Sequence, residues 1–550
     1  MARRASGLLL LLVLLSGCGR GGIFGGGPNL NKNLTPSEYE QLPDSQKIRY
    51  KNVIVRVPDT WGGVLLPFDS GPYPSPIEKT IHEGDLNTLM GLYNQSLFEL
   101  EHPRVKIDYI NFDMWADTYQ SQLAVALSAH RAPAFYVGRN LPQTIDQGMY
   151  ADITDLLNGW DQAKNQPQST VHEGIVNGRS YIMGSNQIGA LIIRYRKDWF
   201  REAGIFNEHG EPGPRSDWTY DDFRRYARLL TDPAKGRFGF SDMEGDFLYN
   251  QCHGLDLYIP DPTGKHTWTF NDQDPDLLKS LQNAREMVNE DKSVLTSVST
   301  GWFEWHHDFD ASHAAMIPSL AFQPPQESVD QPYKFGKDKP FKDTVGMVVP
   351  PTGPTGINGM QLYSNAIGFD PTLSPEQLRA AFDWLKSYFY GDLWVNRMRE
   401  SAKLAKLEGR QNPIYAEMLV LPYKPEVNLL DKPLSTVFPW DYLHVYDIIH
   451  KTPGPPLPRN FGLQEPSENE MTGDTKAMYS EAISSNVDLK SLIAKYKDLI
   501  NRTVLNFSGP HDREELRRYI DARTAFYRQY YPKYYETAWK QKLATYYRVP

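Results

Sequence analysis

The alternation of short apolar runs with amphipathic stretches between residues 52 and 137 limits the fold of this chain more than any other feature. Residues 52–57 (NVIVRV) and 105–110 (VKIDYI) are rich in β-branched residues and predict strands. Apolar residues at helical spacing predict helices at 77–101 and 119–129, before a third strand at 134–137. Strands that alternate with helices in this way indicate an α/β sheet with helices on its faces.

The first 18 residues have the pattern of an export signal. Arg3 and Arg4 form a positive segment, and the run 8–15 contains only Leu and Val. This run is too short to span a membrane, which needs about 20 apolar residues, but it fits the apolar part of a secretory signal. Residues 15–18 (LSGC) resemble a bacterial lipobox, in which the cysteine is lipidated and becomes the first mature residue.

Removal of a signal peptide at 1–17 would leave Cys18 as a lipidated residue that anchors the protein outside the cytoplasm, in the periplasm or at the cell surface. Residues 18–47, which begin with glycine-rich sequence, then form a flexible tether. The formal net charge would change from −9 to −11, because two arginines leave. Such acidity argues against a nucleic-acid partner, which needs a basic surface. With Cys18 acylated, Cys252 has no disulfide partner, and a cysteine metal site is not available.

Short motifs further along the chain follow the order known from one family. The quoted segments are HPRVKIDYI (102–110), WADTYQSQLAVALSAHRAPAFYV (115–137), GMYADITDLL (148–157), NGRSYIMGSNQIGALIIRYRKDWFREAGI (177–205), DWTYDDFRRYARLLTDP (217–233), HAAMIPSLAF (313–322) and VGMVVPPTGPTG (345–356). Over about residues 50–390 this succession resembles the extracellular solute-binding proteins of carbohydrate ABC transporters, family 1, which are similar to maltose-binding protein. Each motif alone is loose, and the resemblance depends on their shared order.

The resemblance implies an α/β fold of the two-lobed periplasmic-binding-protein type (type II). Each lobe would be a mixed sheet flanked by helices, with hinge crossovers between the lobes and an extra helical region at the C-terminus. The expected domains are a signal peptide at 1–17, a tether at 18–47, an N-terminal lobe at 48–153 plus about 292–355, a C-terminal lobe at 154–291 plus about 356–460, and a helical extension at 461–550.

Four positions depart from the family pattern. Ala134 stands where Asp is usual, Arg196 where Asn is common, and Gly184 where Pro follows the strand. His313 replaces the Gly expected before Ala-Ala-Met. These changes leave the fold prediction intact but weaken the transfer of ligand contacts at these positions.

Two helix starts are predicted from the residues alone. Thr219 and Asp222 can satisfy unpaired N–H groups at one helix start, and residues 374–377 (SPEQ) form a capping box with proline at the first helical position. Trp199, Trp218 and Trp384 lie on or beside the apolar stripes of such helices. We interpret all of these residues as structural.

The sequence also contains residues that could support other chemistry. Residues 302–313 combine three histidines with carboxylates, but adjacent His residues rarely converge on one ion, and the spacing of a metal site is not met. Glycoside hydrolysis needs two carboxylates at a defined separation. With 67 acidic residues in the chain, composition alone does not identify such a pair. A nucleophile elbow, a P-loop and a dinucleotide-binding glycine motif are not found. We therefore expect that the protein is not an enzyme and that it binds neither a metal ion nor a cofactor.

A sugar receptor needs aromatic rings that stack on the apolar faces of the sugar, and side chains that bind its hydroxyl groups. By resemblance, the residues expected to bind the ligand are Trp61, Asn140, Asn186, Gln187, Tyr249, Phe322, Asn358 and Trp440. Phe322 and Trp440 stand where the family has aromatic residues.

The predicted function is capture of a sugar or oligosaccharide by closure of two lobes and its delivery to ABC permease subunits, by a lipid-anchored monomer. Two other classes remain open at this point. One is a surface lipoprotein that binds glycans or proteins without transport, which the Tyr-rich C-terminus would suit. The other, less favoured, is a lipid-anchored glycoside hydrolase.

Overall fold

The structure is a computed structural model of the chain. It describes residues 41, 53–58, 95–110, 112, 119–138, 141–166, 168–176, 178–242, 247–261, 266–296, 309, 312–320, 344–358, 360, 362–390, 420–421, 424–428, 440–441, 443–445, 473–505 and 509–547. The predicted lipid signal at 1–18 and most of the tether lie outside these residues. Within the described ranges, the helices are all too short or too polar to cross a membrane.

The described elements alternate between strands and helices over much of the chain. The strands are β1 (Val53–Pro58), β2 (Val105–Ile110), β3 (Phe135–Val137), β4 (Ile175–Val176), β5 (Arg179–Ser180), β6 (Ile182–Arg196), β7 (Phe238–Asp242), β8 (Tyr258–Pro260), β9 (Trp268–Phe270), β10 (Val294–Thr296), β11 (Ala314–Leu320), β12 (Val345–Val348), β13 (Leu362–Phe369), β14 (Val420–Leu421) and β15 (Lys424–Asn428). The helices are α1 (Tyr119–Ser128), α2 (Leu141–Asp146), α3 (Thr154–Asn158), α4 (Gln168–Glu173), α5 (Lys197–Glu202), α6 (Tyr220–Leu229), α7 (Phe247–His253), α8 (Pro275–Arg285), α9 (Pro375–Tyr390), α10 (Gly473–Ser484), α11 (Leu489–Val504), α12 (Arg513–Tyr530), α13 (Pro532–Tyr534) and α14 (Lys540–Lys542).

The chain divides into two compact units. The smaller unit holds the described residues of Met1–Val137, Met149–Ala151 and Ile367–Asn412, and the larger unit holds those of Gly138–Gly148, Asp152–Ala366 and Pro413–Pro550. This division differs from the predicted lobes, because it places 292–355 with 152–291. The lobe boundaries expected from the resemblance stay a prediction.

In the smaller unit, β1 and β2 pair in parallel, as the alternating sequence predicts. Val53 lies opposite Val105, and Pro58 lies opposite Ile110. Helix α9 packs on this pair, and the Gln377 side chain donates to the carbonyl of Ile54 at 3.2 Å. The predicted capping box is present, because Ser374 and Gln377 each accept from the other's backbone N–H.

The larger unit is built on a mixed sheet with the strand order β10-β7-β11-β6, and β12 also pairs with β6. The pairs β10–β7 and β7–β11 are parallel, whereas β11 and β12 both run antiparallel to β6. Helix α6 begins at the predicted cap residue Thr219, and the structure completes this start as a capping box with Asp222. Its apolar face joins Trp199 and Trp218 in one buried cluster, which confirms the packing role of both tryptophans.

The C-terminal residues add helices to this unit. Helices α10, α11 and α12 bury their apolar faces against β8, β9 and α8 in one cluster. Helix α12 is followed by Pro532, after which helical and π-helical turns continue to Tyr547. The amphipathic spacing predicted for this region is thus a packed face, as favoured by the sequence.

Candidate functional site

The predicted ligand residues fall into two groups. Trp61, Asn140 and Phe322 lie outside the described residues, as does Cys18. Asn186 and Gln187 lie within β6, where the structure describes their backbone alone. Tyr249, Asn358 and Trp440 are described with their side chains, and all three belong to the larger unit.

Trp440 lies in a half-buried aromatic group formed with two histidines. Its ring stacks on that of His444 with centroids 4.6 Å apart and an interplanar angle of 15°. The two residues are four positions apart in a helical segment, which places them on the same face. The ring of His209 approaches Trp440 from another part of the unit, at 3.9 Å. Because His209 is exposed and Trp440 is partly exposed, this group offers an aromatic surface to solvent.

The segment that carries Trp440 is fixed by the next residue, Asp441. Its carboxylate is buried and accepts from Lys197 Nζ at 3.0 Å and from the backbone N–H of Met347 at 3.1 Å. The hydroxyl of Tyr195 is a longer contact, at 3.4 Å. Burial raises the pKa of Asp441, and the ammonium group of Lys197 opposes this rise. The ion pair therefore holds Trp440 against the sheet of the larger unit.

Sequence reasoning did not identify Asp441 or Lys197. The signal available was weak: Asp441 directly follows the predicted aromatic residue, and Lys197 lies in the family-like segment YRKD. Neither position reveals that the two side chains meet, because they are 244 residues apart in the chain.

Tyr249 has the contacts of a packing residue. Only 7% of it is exposed, and it belongs to the same cluster as Trp218 and Phe223. Its ring stacks on His253 at 3.8 Å with an angle of 8°. Burial lowers the pKa of His253, which favours the neutral imidazole for this stack. A contact of Tyr249 with ligand stays a prediction, and the structure gives the ring a role in the core.

Asn358 lies close to the helix that carries Tyr249. The thiol of Cys252 is 3.8 Å from the carbonyl oxygen of Asn358 and 2.9 Å from that of Pro351. The side-chain oxygen of Asn358 accepts from the N–H of Met360, so it shapes the local turn. Cys252 is a buried free cysteine, and burial raises the pKa of its thiol, which makes it a poor nucleophile.

The histidine-rich segment 302–313 lies largely outside the described residues, with Phe309, Ser312 and His313 the exceptions. In the part of the chain that is described, groups of three or more His, Cys, Asp or Glu side chains that could hold a metal ion are not found. The groups that do converge, around Trp440, form an aromatic surface of the kind that stacks on apolar faces of ligands.

Comparison with known proteins supports the fold. The chain matches the bacterial extracellular solute-binding protein family over residues 82–388. A search of curated proteins finds no match. Among solved structures, UspC of M. tuberculosis is 14% identical, with a TM-score of 0.51, and the match covers 82% of this chain and 100% of that one.

Two further solved structures have the same fold, with similar sequence identity and TM-score. A solute-binding protein of an ABC transporter from Thermotoga lettingae, bound with alpha-D-tagatose, is 14% identical with a TM-score of 0.50, over 82% of this chain and 98% of that one. A cyclic alpha-maltosyl-1,6-maltose binding protein from Arthrobacter globiformis is 14% identical with a TM-score of 0.50, over 77% and 97% of the two chains.

These likenesses confirm the α/β binding-protein fold predicted from the motifs. The family match covers more than half of the chain and supports a binding role rather than catalysis. The chain belongs to the bacterial extracellular solute-binding protein family.

Proposed function

We propose that this protein is the lipid-anchored, extracytoplasmic substrate-binding component of an ABC importer and that its substrate is a sugar or oligosaccharide. The observation that carries the proposal is the partly exposed ring of Trp440, which stacks on His444 and contacts the tilted ring of His209, in a chain of the solute-binding family. Aromatic faces of this kind stack on the C–H faces of sugars.

The buried pair of Asp441 and Lys197 supports this role. A stacking residue contributes most when it is held in place before the ligand arrives, because less conformational entropy is then lost on binding. The ion pair and the backbone contact to Met347 fix the segment at its start. Trp440 is thus presented by the rigid sheet rather than by a free loop.

The path of the chain supports a mechanism of hinge closure. It passes between the two compact units after Val137, Gly148, Ala151 and Ala366. Such crossings can serve as a hinge, where a few residues absorb the change in backbone angles. We propose that the two units close on the ligand, with Trp61, Asn140, Asn186, Gln187, Phe322 and Asn358 as further contacts.

The proteins of similar fold support the substrate class. One is bound with alpha-D-tagatose, and another is named for a cyclic maltosyl-maltose. A receptor of this kind would pass its sugar to permease subunits in the membrane, and ATP hydrolysis would occur on other chains. A lipid on Cys18 would keep the receptor near that partner, since each buried CH2 of an acyl chain contributes about 0.8 kcal/mol.

Isothermal titration against neutral mono- and oligosaccharides tests the substrate class. We expect one sugar class to bind, and Trp440→Ala to weaken its affinity about tenfold, because an aromatic contact contributes about 0.5–1.5 kcal/mol beyond its buried area. Tyr530→Ala, which changes another partly buried aromatic residue, is the matched control and should leave the affinity unchanged. Absence of binding to every sugar would overturn the proposal.

Two further measurements separate transport from simple surface binding. Cys18→Ala should move the protein from the membrane fraction to the soluble fraction. In cells that carry the cognate permease, uptake of the bound sugar should fall with the loss of the receptor. Binding with unchanged uptake would favour the alternative of a surface glycan-binding lipoprotein.

A further inference from the structure

Arg194 is a buried cation in the central strand of the larger unit. It lies in β6 and pairs with Ile317 of β11 on one side and with Met347 of β12 on the other. Only 2% of Arg194 is exposed. Among the residues that the structure describes, Nε and Nη2 of its guanidinium have no hydrogen-bond partner.

Such an arrangement is unfavourable unless something pairs with the charge. Arginine side chains carry a positive charge in folded proteins. A buried charge without a partner loses its hydration and gains nothing in return, and buried polar groups in native proteins are nearly always satisfied. Arg194 therefore requires a partner of opposite charge.

The carboxylates that the structure describes near Arg194 already pair with other cations. Arg196, two residues along the same face of β6, holds Asp198 through two bonds of 3.0 and 2.7 Å. Asp441 is paired with Lys197 at 3.0 Å. Neither carboxylate bonds to Arg194, so one positive charge in this part of the sheet has no counterion among the described residues.

A second unpaired donor lies on the same face. Ser319 of β11 is fully buried, and its hydroxyl has no partner among the described residues. It pairs with Ile192, and Ile317 pairs with Arg194, so Ser319 is the diagonal neighbour of Arg194 across the two strands. Side chains at diagonal positions on one face are within reach of a long side chain. Two donors without partners thus occupy diagonal positions on one face of neighbouring strands.

We infer that the larger unit binds an oxyanion at Arg194 and Ser319, whose donor atoms are enclosed by protein, so that the anion enters when the side chains around them move apart. A carboxylate, sulfate or phosphate group would accept two parallel N–H bonds from a guanidinium and one bond from the hydroxyl. Apolar Ile317 and Met347 beside the arginine would exclude water and strengthen these bonds. The site uses other side chains than the stacking surface of Trp440, although the backbone of Met347 contacts both Arg194 and Asp441, and it does not depend on the proposed sugar function.

Thermal unfolding of the full chain tests the site, with sulfate, phosphate or glucuronate added at constant ionic strength set by chloride. We expect the wild-type midpoint to rise with anion concentration and to saturate, because a ligand that binds the folded state stabilises it. Arg194→Met should raise the half-saturating concentration by about tenfold or more, and Ser319→Ala by a smaller factor. Arg517→Met, which changes a side chain that is 80% exposed, is the matched control and should keep the wild-type response.

Each outcome bears on the inference. Glucuronate that binds more tightly than sulfate or phosphate would identify the oxyanion as part of an acidic sugar, and the reverse order would identify a free inorganic anion. If the wild type shows no saturable response and Arg194→Met lowers the midpoint without anion, the charge is paired within the chain and the site does not exist. Neutral sugars should bind Arg194→Met with wild-type affinity. The absence of an oxyanion site would therefore leave the proposed sugar binding untouched, and the two proposals can fail independently.

Discussion

Two arginines of the larger unit are almost equally buried but have opposite surroundings. Arg523 in α12 is 4% exposed, and Arg194 in β6 is 2% exposed. Arg523 donates to Asp256 at 2.8 Å and to the hydroxyl groups of Tyr519 and Tyr527 at 2.8 and 3.1 Å. The guanidinium of Arg194 has no such partner among the described residues.

The surroundings of Arg523 form a network that satisfies both terminal nitrogens of its guanidinium, and only Nε has no hydrogen-bond partner among the described residues. Lys542 donates to the other oxygen of Asp256 at 2.8 Å and lies 3.5 Å from Asp274. The Trp539 ring lies below the guanidinium at 4.6 Å. Two cations and two carboxylates therefore balance, and the network ties α12 and α14 to the residues that precede β8. Compensation within the chain makes Arg523 structural, whereas the lack of a counterion for Arg194 among the described residues supports the inferred ligand.

The same substitution at both positions gives the largest expected difference. Arg523→Met leaves Asp256 with a single cation, and we expect the free energy of unfolding to fall by about 3–5 kcal/mol, as for other broken buried ion pairs. Arg194→Met, measured without added oxyanion, removes an unpaired charge and should leave this free energy unchanged or higher. Urea unfolding followed by tryptophan fluorescence measures both. Equal losses of unfolding free energy in Arg523→Met and Arg194→Met would show that the two guanidinium groups are compensated to the same extent.

Lowered pH should weaken the Arg523 network through Asp256. Burial opposes ionisation of this carboxyl, but Arg523 and Lys542 bring its pKa down to about 2. A lowered folded-state pKa contributes stability above the ordinary value near 3.8, and this contribution is lost as pH falls towards 2. The other carboxylate of the network, Asp274, has a raised pKa because of burial, so its contribution has the opposite sign.

The difference between wild type and Asp256→Asn reports mainly the titration of Asp256, with a smaller change at Asp274, because the charge of Asp256 contributes to the raised pKa of Asp274. We expect the wild type to be more stable at pH 5 by about 2 kcal/mol and this advantage to disappear near pH 2. Urea unfolding of both proteins across this range is the measurement. An advantage that stays constant with pH would show that Asp256 is not the titrating group.

The sequence predicted much of the fold because the relevant signals are local. The strand at 105–110, the capping box at Thr219 and the apolar stripe of α9 each depend on residues within one element. The predicted ligand residues fared differently. Trp440 was predicted by resemblance, but the ion pair that fixes its segment joins Asp441 to Lys197, 244 residues away in the chain.

The two arginines show the same limit more sharply. Nothing in the spacing of RYRKDWF marks Arg194 as unpaired, and nothing in α12 marks Arg523 as the centre of a network. A charge in a strand or helix is read as solvent-facing unless its neighbours in space are known. Partners 267 residues away, as for Arg523 and Asp256, cannot be read from one sequence.

The smallest expected effect is at an exposed ion pair on the same helix as Arg523. Arg518 and Glu514 are 52% and 76% exposed, and their side chains are 3.2 Å apart at i, i+4 spacing. Glu514→Gln should lower the free energy of unfolding by about 0.3–0.5 kcal/mol, and added salt should reduce even this, because water screens the pair. Urea unfolding at low and high salt measures the effect. A loss as large as that of Arg523→Met would mean that helix charge, rather than burial of the guanidinium, accounts for the stability of this region.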